Sequence, residues 1–330
     1  MEEKSGDEQP KIAVVMPAYK SSAQIVEVIR SVPRIVSDIF VIDDCCPERT
    51  GQKVAEEIID DRVQVHRSDV NLGVGGATKI GINLALKSGA EIIVKIDSDG
   101  QMNPNEIPKL VKPLLNREAD YAKGNRFYSL DSIQEMPKVR ILGNAVLSLF
   151  SKISSGYWTI TDPTNGFLAI TSGAAKNIDL KKVRNRWFFE SDMLFRLYII
   201  RAVVVDVPMN ARYGDERSNL KVWKVLPEFL WRHNINLLKR ILYSYYVREW
   251  GPTSILGPSG FLLLIAGGIL GLAFLGESSS TGVPATAGQV MISVLPIILG
   301  FQLLLTALSS DITNEPKTVL YGYEGKSRID

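Results

Sequence analysis

Two aspartates, Asp97 and Asp99, stand one residue apart directly after the apolar run of residues 91–96. Alternate residues of an extended or tightly turning backbone project from the same side, so both carboxylates can approach one cation. Carboxylate oxygens suit the hard cations Mg²⁺ and Mn²⁺, whose other coordination positions phosphate oxygens and water can fill. The sequence therefore predicts a metal site here, and a polar turn that merely closes a strand is the alternative.

Further polar side chains stand at the ends of other strand-like runs. These runs cover residues 11–16, 38–42, 63–66, 91–96, 119–124 and 202–207, with helical stretches between them. The alternation predicts an α/β domain with a mostly parallel sheet over residues 11–221, in which ligands bind beyond the carboxyl ends of the strands. The residues at those ends are Pro17-Ala18-Tyr19, Asp43-Asp44, 71–77, Asp97-Ser98-Asp99 and Asn125-Arg126.

Composition narrows the class of protein. The chain has 330 residues, of which 45% are hydrophobic and 22% charged, as in a globular protein with a real core. Lys and Arg total 38 against 36 for Asp and Glu, so the basic excess typical of nucleic-acid binding is absent and no nucleic-acid partner is expected. The adjacent Cys45 and Cys46 are poorly placed for a mutual disulfide, which fits a reducing compartment. Residues 1–10 are polar and acidic, and we expect a flexible tail rather than a signal peptide.

Two uncharged stretches near the C-terminus, residues 255–275 and 290–308, have the length needed to cross a bilayer. We predict two transmembrane helices within residues 253–310, with buried core helices as the alternative. The connection between them contains Glu277 and no Lys or Arg, whereas basic residues flank the pair on both outer sides. The positive-inside rule then predicts an integral membrane protein whose catalytic domain and 311–330 tail are cytoplasmic.

Residues 222–252 place apolar side chains at helical spacing among Lys and Arg, together with Trp223, Trp231 and Trp250. Basic amphipathic helices with tryptophan suit the head-group layer of a membrane. We predict interfacial helices here. An ordinary helix packed on the globular domain is the alternative, because amphipathicity alone does not separate the two.

The segments at the strand ends resemble, in order and approximate spacing, those of the family 2 glycosyltransferases. With two C-terminal spans, the chain is most similar to the polyprenyl-phosphate glycosyltransferases, which include the dolichyl-phosphate mannose synthases and the bacterial bactoprenol glucosyltransferases. Two spans, where some mannose synthases have four or one, favour the bacterial glucosyltransferase-like branch with a UDP-sugar donor. The resemblance implies a GT-A fold and a nucleotide-sugar donor, with Mg²⁺ or Mn²⁺ held by Asp97, Asp99 and Gln101. The residues that it implies for nucleotide binding are Pro17, Tyr19, Asp44, Gly76, Asp97 and Ser98.

The kind of residue that binds the acceptor can be inferred from the charge of the acceptor phosphate. A phosphate monoester arrives mostly as a dianion, so it needs positive charge to position it rather than a base. By the resemblance, the residues that hold the acceptor phosphate are Arg126, Arg140, Arg212 and Lys221. Asp162 is expected to touch sugar hydroxyls or orient the acceptor, with a simple turn as its alternative. Together with Asp99, Arg126 and Arg212 it completes the expected catalytic set.

Other positions leave alternatives open. Glu190 and Asp192 fall where many glycosyltransferases carry a catalytic acidic pair, but helix capping or sugar contacts are equally compatible with a phosphate acceptor. His66 and His233 show no metal-ligand pattern and are predicted to be structural. Two departures from the family, Lys20-Ser21 for its usual Asn-Glu and Cys45-Cys46-Pro47-Glu48 for its Gly-Ser-x-Asp, leave base recognition open.

The hypothesis is therefore a metal-dependent inverting transferase that moves a hexose from a UDP-hexose, UDP-glucose first, to an undecaprenyl-phosphate-like lipid. We expect it at the cytoplasmic face of a bacterial inner membrane, in cell-envelope glycan biosynthesis; a homo-oligomer stays open. A membrane-anchored polysaccharide synthase is a second hypothesis, which the lack of a Gln-x-x-Arg-Trp motif and the presence of only two spans disfavour. A non-catalytic membrane scaffold is a third, and it predicts lost metal or phosphate ligands.

Overall fold

The computed structural model describes residues 10–128, 138–209 and 222–320. The chain divides into two compact units. Unit 1 comprises Met1–Leu237 together with Pro316–Asp330, and unit 2 comprises Leu238–Glu315.

Seven strands of the described residues form one sheet in unit 1. They are β1 (Ile12–Ala18), β2 (Asp38–Asp43), β3 (Val63–Arg67), β4 (Ile92–Lys95), β5 (Tyr121–Asn125), β6 (Leu168–Thr171) and β7 (Val204–Pro208). Their order is β3-β2-β1-β4-β6-β5-β7, and β6 runs antiparallel to both of its neighbours while the other pairs are parallel. The predicted mostly parallel α/β sheet is confirmed. β6 was not predicted.

Helices of unit 1 cover the two faces of the sheet. They are α1 (Ile25–Arg30), α2 (Thr50–Glu57), α3 (Val74–Lys87), α4 (Ile107–Leu115), α5 (Lys138–Ser155), α6 (Ser172–Asn177), α7 (Phe189–Ile199) and the start of α8 (Val222–Leu242). The alternation of side chains along β1 supplies both layers: Val14 and Met16 enter one hydrophobic core, and Ala13 and Val15 enter the other. Apolar burial on both faces is what makes the central strands nearly uniformly hydrophobic.

The antiparallel β6 determines which loops meet. β1, β2, β4 and β5 end at one edge of the sheet, and the reversed β6 begins at that same edge. The loop that precedes β6, residues 162–167, therefore lies beside the segments that follow β4 and β5. Without this reversed strand, the loop would enter the sheet from the opposite edge.

His233 of α8 is a buried packing residue of unit 1. Its side chain is 3% exposed, and its Nδ1 lies 2.7 Å from Ser154 Oγ of α5. The imidazole also packs edge-on against the Phe188 ring, with centroids 4.9 Å apart. Burial lowers the pKa of His233 to about 4. The ring is therefore neutral at physiological pH and helps to attach α8 to the domain.

This burial predicts a pH-dependent stability. The unfolded chain takes up a proton at His233 below about pH 6.5, whereas the folded chain resists protonation until about pH 4, so stability is full above pH 6.5 and falls between these values. The shift corresponds to a loss of about 3 kcal/mol. Chemical denaturation of the full chain at several pH values measures it. His233→Gln should flatten this dependence.

The exposed His66 supplies the matched control. His66→Gln should leave the slope between pH 6.5 and 4 unchanged, because the His66 side chain is exposed and is not part of the packing between α5 and α8. An identical slope in wild type and His233→Gln would show that burial of His233 does not set the pH dependence.

Unit 2 is dominated by two long apolar helices, α9 (Pro252–Thr281) and α10 (Ala287–Thr313), which contain both predicted spans. In their most apolar stretches only 11% and 17% of residues are buried, whereas a core helix of a soluble protein would be mostly buried. They form a candidate transmembrane hairpin. Gly260 and Gly300 bring the two backbones together, since a Cβ on Gly260 would lie 2.8 Å from the Gly300 carbonyl oxygen.

A buried ion pair joins the end of α8 to the end of α10, the second helix of the hairpin. Arg240, at the end of α8, donates from Nη1 and Nη2 to the two carboxylate oxygens of Asp311 at 2.6 and 3.0 Å. Tyr245, in the π-helical turn Tyr243–Arg248 that follows α8, donates its hydroxyl to the same carboxylate. Arg240 is 2% exposed, so this basic residue is used inside unit 2 instead of adding to an exposed cationic flank.

Chain beyond the hairpin returns to unit 1. The predicted tail of residues 311–330 starts inside α10, and residues 316–320 belong with the globular unit. Val319 packs against one hydrophobic core, and the Leu320 N–H donates to Asp120 Oδ2 at 3.3 Å. This part of the segment is therefore a packed element and not a free tail.

Candidate active site

The two aspartates of the predicted metal site lie on the turn after β4, at the carboxyl edge of the sheet. Both are half-buried, and the intervening Ser98 is buried. Asp99 Oδ1 accepts the Gln101 N–H at 3.0 Å, which tightens the turn, while the Gln101 side chain is exposed. The described residues contain no cluster of three or more His, Cys, Asp or Glu side chains arranged for a metal. A cation here would thus have two carboxylates and depend on a ligand such as a diphosphate for the rest.

A buried lysine shares the first of these carboxylates. Lys95, the last residue of β4, is 1% exposed and places Nζ 2.7 Å from Asp97 Oδ1 and 3.7 Å from Glu190 Oε1. Burial by itself lowers the pKa of Lys95, but the carboxylates of Asp97 and Glu190 outweigh it and the pKa is raised. Lys95 is therefore a fixed internal cation beneath the acidic pair.

The loop before β6 closes over this ion pair. A Cβ on Gly166 would lie 2.7 Å from Asp97 Oδ2, so only glycine allows the loop to approach so closely. A second buried lysine, Lys123 of β5, donates to the Asn165 carbonyl oxygen. Burial lowers the pKa of Lys123 to about 8, although Glu190, Asp162 and Asp206 oppose the shift. Residues 165 and 166 of the loop therefore lie against two buried lysines, Lys95 of β4 and Lys123 of β5.

The same loop carries Asp162, which pairs with Arg126. Arg126 Nε donates to Asp162 Oδ2 at 2.8 Å, and its Nη2 donates to Oδ1 at 3.0 Å. Asp162 is fully buried, whereas the Arg126 side chain is 23% exposed. The fork-on-carboxylate geometry fixes the guanidinium plane. Asp97, the 162–166 loop and Arg126 are thus linked by direct contacts, so one predicted metal ligand, Asp97, and one predicted acceptor residue, Arg126, belong to one region.

Ser98 ties the metal turn to the end of β1. Its Oγ donates to the Pro17 carbonyl oxygen at 2.9 Å and lies 2.7 Å from Ser21 Oγ. Tyr19, by contrast, is 46% exposed, with Lys20 Nζ 5.6 Å from its ring centroid. The Tyr19 ring is therefore accessible, whereas Ser98 is buried in contact with the end of β1. Contact of Pro17, Tyr19 and Ser98 with a nucleotide stays a prediction.

Asp44 holds the glycine loop in this structure. Its two carboxylate oxygens accept the N–H groups of Leu72 and Gly73 at 2.8 and 2.7 Å. Asp43 is engaged in the same manner by the N–H groups of Cys46 and Gly51, both at 2.7 Å. The pair therefore organises two loops at the carboxyl edge. Direct contact of Asp44 with a nucleotide stays a prediction.

The glycine run itself packs against another part of the chain. A Cβ on Gly75 would lie 2.5 Å from the Arg184 carbonyl oxygen, and one on Gly73, whose φ is 84°, would lie 2.9 Å from that of Asn185. The buried Gly76 donates its N–H to the Asn185 oxygen at 3.0 Å. Close approach of residues 184–186 explains these glycines. A nucleotide contact of Gly76 stays a prediction.

Both departures from the family pattern occupy left-handed backbone. Lys20 has a φ of 56° and Cys45 a φ of 53°. The family residues at these positions, Asn and Gly, are those that adopt this conformation most readily. In this chain, Lys20 and Cys45 therefore hold a backbone conformation that side chains of their type adopt less readily.

The acidic pair of α7 is neutralised within the protein. Glu190 lies beside Lys95, as described above. Asp192 Oδ2 accepts from Arg196 Nε at 3.2 Å and from the Arg184 N–H at 3.1 Å, and its Oδ1 accepts from Asn236 Nδ2 at 3.2 Å. These contacts show Asp192 joining α7 to α8 and to the segment that covers the glycine run.

Three further residues were predicted to bind the acceptor phosphate. Arg140 lies in the first turn of α5. Arg212 and Lys221 lie outside the described residues. Sequence reasoning missed Lys95 and Lys123 as site residues, although each stands inside a strand-like run, a position where lysine is rare unless it is paired.

Comparison with known proteins shows which family and which relatives the chain resembles. Residues 13–179 match the glycosyl transferase family 2 model. A UDP-N-acetylglucosamine–dolichyl-phosphate N-acetylglucosaminyltransferase of Methanococcus voltae is 27% identical over 62% of this chain and 86% of its own. An undecaprenyl-phosphate mannosyltransferase of Micrococcus luteus is 30% identical over 52% of this chain and 71% of its own.

A solved structure supports the fold. Glucosyl-3-phosphoglycerate synthase of Mycobacterium tuberculosis, in complex with Mn²⁺, UDP and glucosyl-3-phosphoglycerate, superposes with a TM-score of 0.53 at 20% identity, covering 70% of this chain and 80% of that one. The likeness shows a GT-A-like fold. The chain belongs to glycosyl transferase family 2, and its relatives group it with the polyprenyl-phosphate glycosyltransferases.

Proposed function

We propose that this glycosyltransferase moves a hexose from a UDP-hexose to a polyprenyl phosphate, with inversion, at the cytoplasmic face of a membrane. The observation that carries the acceptor class is the state of the carboxylates around the site. Asp162, Glu190 and Asp192 each lie within 4 Å of a cationic side chain, and these ion pairs hold the carboxylates inside the protein instead of directing them at a substrate hydroxyl. Such a site suits an acceptor that arrives already ionised.

Asp206 is the remaining carboxylate to consider. Burial raises its pKa to about 6, a value that would suit a general base. However, its Oδ2 accepts from Asn125 Nδ2 at 3.0 Å and from the Thr161 N–H at 2.8 Å, and its Oδ1 is buried. Asp206 is therefore unable to reach a substrate hydroxyl in this arrangement.

The donor side fits a divalent cation. Asp97 and Asp99 are oxygen ligands on one short turn at the binding edge, and both are partly accessible. They would hold Mg²⁺ or Mn²⁺, with the exposed Gln101 side chain nearby. When bound, the cation would offset charge on the leaving diphosphate. Ser98 and Pro17 would form the floor for the nucleotide and Tyr19 its exposed wall.

The acceptor side relies on Arg126 and Asp162. Asp162 fixes the Arg126 guanidinium in one plane while leaving part of it exposed, which suits recognition of a phosphate. Arg140, Arg212 and Lys221 are proposed to add positive charge. The lipid phosphate would attack the anomeric carbon directly from the face opposite the diphosphate, which gives inversion. The candidate hairpin would keep the enzyme at the bilayer that holds its acceptor.

A paired-acceptor assay tests this proposal. Purified full-length chain is incubated with Mg²⁺ or Mn²⁺ and a panel of labelled UDP-glucose, UDP-N-acetylglucosamine and GDP-mannose. Each donor is offered undecaprenyl phosphate, dolichyl phosphate or the matched free polyprenol. We expect a lipid-linked monosaccharide from a UDP donor with the phosphate lipids and none with the free alcohol. Comparable transfer to the alcohol would reveal a working base and reject the acceptor argument, and a polymer product would indicate a polysaccharide synthase.

Arg126→Lys should separate acceptor binding from donor binding. Lysine keeps the charge but loses the two-pronged geometry on Asp162. We expect kcat/KM for polyprenyl phosphate to fall by about 10- to 100-fold, as loss of one charge-assisted contact predicts, with little change in KM for the nucleotide sugar. Steady-state kinetics with each substrate varied in turn measures both. The exposed Arg34 supplies the control Arg34→Lys, and a defect confined to the nucleotide-sugar KM would contradict the assignment.

A further inference from the structure

A polar cleft lies at the base of the candidate transmembrane hairpin, entirely within unit 2. Its volume is about 280 Å³. The lining comes from the π-helical turn, from the start of α9 and from the end of α10: Ser244, Tyr245, Glu249, Trp250, Thr253 and Asn314 among others. The cavity is about the size of a small head group, and is small for a nucleotide sugar.

Two hydroxyls in this cleft lack partners. Ser244 Oγ and Thr253 Oγ1 are buried and make no hydrogen bond to any described residue. Ser244 is only 6% exposed. A buried polar group without a partner destabilises a folded protein, so two together at one cleft indicate a ligand that supplies hydrogen-bond acceptors.

The charged residues that line the cleft limit which ligands can bind there. Glu249 is the only carboxylate in the cleft lining, and no Lys or Arg of the described residues lines it. A bare phosphate would therefore meet a negative side chain with no basic partner. A group that carries its own cation avoids this conflict, because the cation can approach Glu249 while the phosphate faces the hydroxyls and the N-terminus of α9.

The position of the cleft indicates where such a ligand would come from. Pro252 begins α9, and Thr313 ends α10, so the cleft lies where both apolar helices stop. Trp250 beside it is 73% exposed, and tryptophan is enriched at the head-group level of membranes. The ring also offers a π-face to a cation.

We propose that this cleft binds the head group of a phospholipid that carries a primary ammonium next to its phosphate, as phosphatidylethanolamine does. The phosphate accepts hydrogen bonds from Ser244 and Thr253. The ammonium donates to the Glu249 carboxylate and lies against Trp250. The residues that line the cleft all belong to unit 2, and the proposal does not depend on the function proposed for the sugar-transfer region of unit 1.

Lipid retention tests the proposal. The full chain is reconstituted in nanodiscs that contain equal parts of phosphatidylethanolamine, phosphatidylcholine and phosphatidylglycerol with the same acyl chains, then extracted in mild detergent for native mass spectrometry. We expect about tenfold enrichment of phosphatidylethanolamine, the factor that one charge-assisted contact supplies. Glu249→Gln should abolish the enrichment. Glu277→Gln, which changes an exposed carboxylate on α9 far along the chain from the cleft, should retain it.

Ser244→Ala distinguishes binding from folding. Because the Ser244 hydroxyl has no partner among the described residues, its removal should leave thermal stability in detergent unchanged or raised while lipid retention falls. Equal retention of the three lipids, preferred retention of phosphatidylglycerol, displacement of phosphatidylethanolamine by added polyprenyl phosphate, or full enrichment in Glu249→Gln would each overturn the proposal.

Discussion

Asp99→Asn should abolish sugar transfer while the protein stays folded. Asp97 already shares its charge with Lys95 at 2.7 Å, so a bound cation would depend chiefly on the Asp99 carboxylate. Asparagine keeps the size and the oxygen that accepts the Gln101 N–H, but removes the charge. We expect kcat to fall by about 1000-fold, or about 4 kcal/mol of transition-state stabilisation, the upper range for one electrostatic contact.

Three measurements make this result specific. Turnover is followed as lipid-linked product, Mn²⁺ binding in the presence of UDP by electron paramagnetic resonance, and folding by thermal denaturation. Asp61→Asn, at an exposed position before β3, is the matched control and should change none of them. If Asp99→Asn turned over at the wild-type rate, the assignment of the metal to this turn would be wrong.

The parallel strands of the sheet can be predicted from the sequence, but the antiparallel strand β6 cannot. The predicted parallel strands are apolar or β-branched runs, and each is followed by turn formers, a helical segment or a charged residue. β6 has only four residues, Leu168–Thr171, and follows a Pro- and Gly-containing segment, so its pattern gives no period to distinguish it from loop or helix. Its antiparallel direction is set by pairing with β4 and β5, which no local pattern encodes.

For the candidate site as well, the sequence indicates individual residues but not the tertiary contacts between them. The sequence could indicate Asp97, Asp99, Arg126 and Asp162, because they follow strands or stand in polar turns. It could not indicate that Asp162 pairs with Arg126, since the loop reaches that residue only through the reversed β6. Nor could it reveal that the glycine run accommodates residues 184–186, more than 100 positions along the chain, because such a contact is fixed by tertiary packing alone.

Lys95→Met should destabilise unit 1 strongly. Methionine fills a similar volume but removes the cation that forms an ion pair with the buried Glu190, and Asp97 loses its partner as well. Removing one member of a buried ion pair costs about 3–5 kcal/mol. Because the Asp97 side chain is 28% exposed and can turn toward water, we expect a value near the lower limit, about 3 kcal/mol, with a fall in melting temperature of about 10 °C. Thermal denaturation of the full chain measures this.

A double-mutant cycle tests the cause of that loss. Glu190→Gln in the Lys95→Met background removes the stranded charge and should recover part of the stability, whereas Lys87→Met, at an exposed lysine, should cost little. Full stability of Lys95→Met would contradict the role of Lys95 as an internal counter-cation.

The same substitution should act in the opposite direction on the metal. In the wild type, Lys95 competes for Asp97, so its removal leaves that carboxylate with its full negative charge toward a cation. Lys95→Met should therefore bind Mn²⁺ more tightly while folding less stably, and the resonance titration used for Asp99→Asn measures this in the folded fraction. Weaker binding would mean instead that Lys95 orients Asp97 for the metal. Either change shows the buried lysine acting on the acidic pair, and its sign distinguishes competition from positioning.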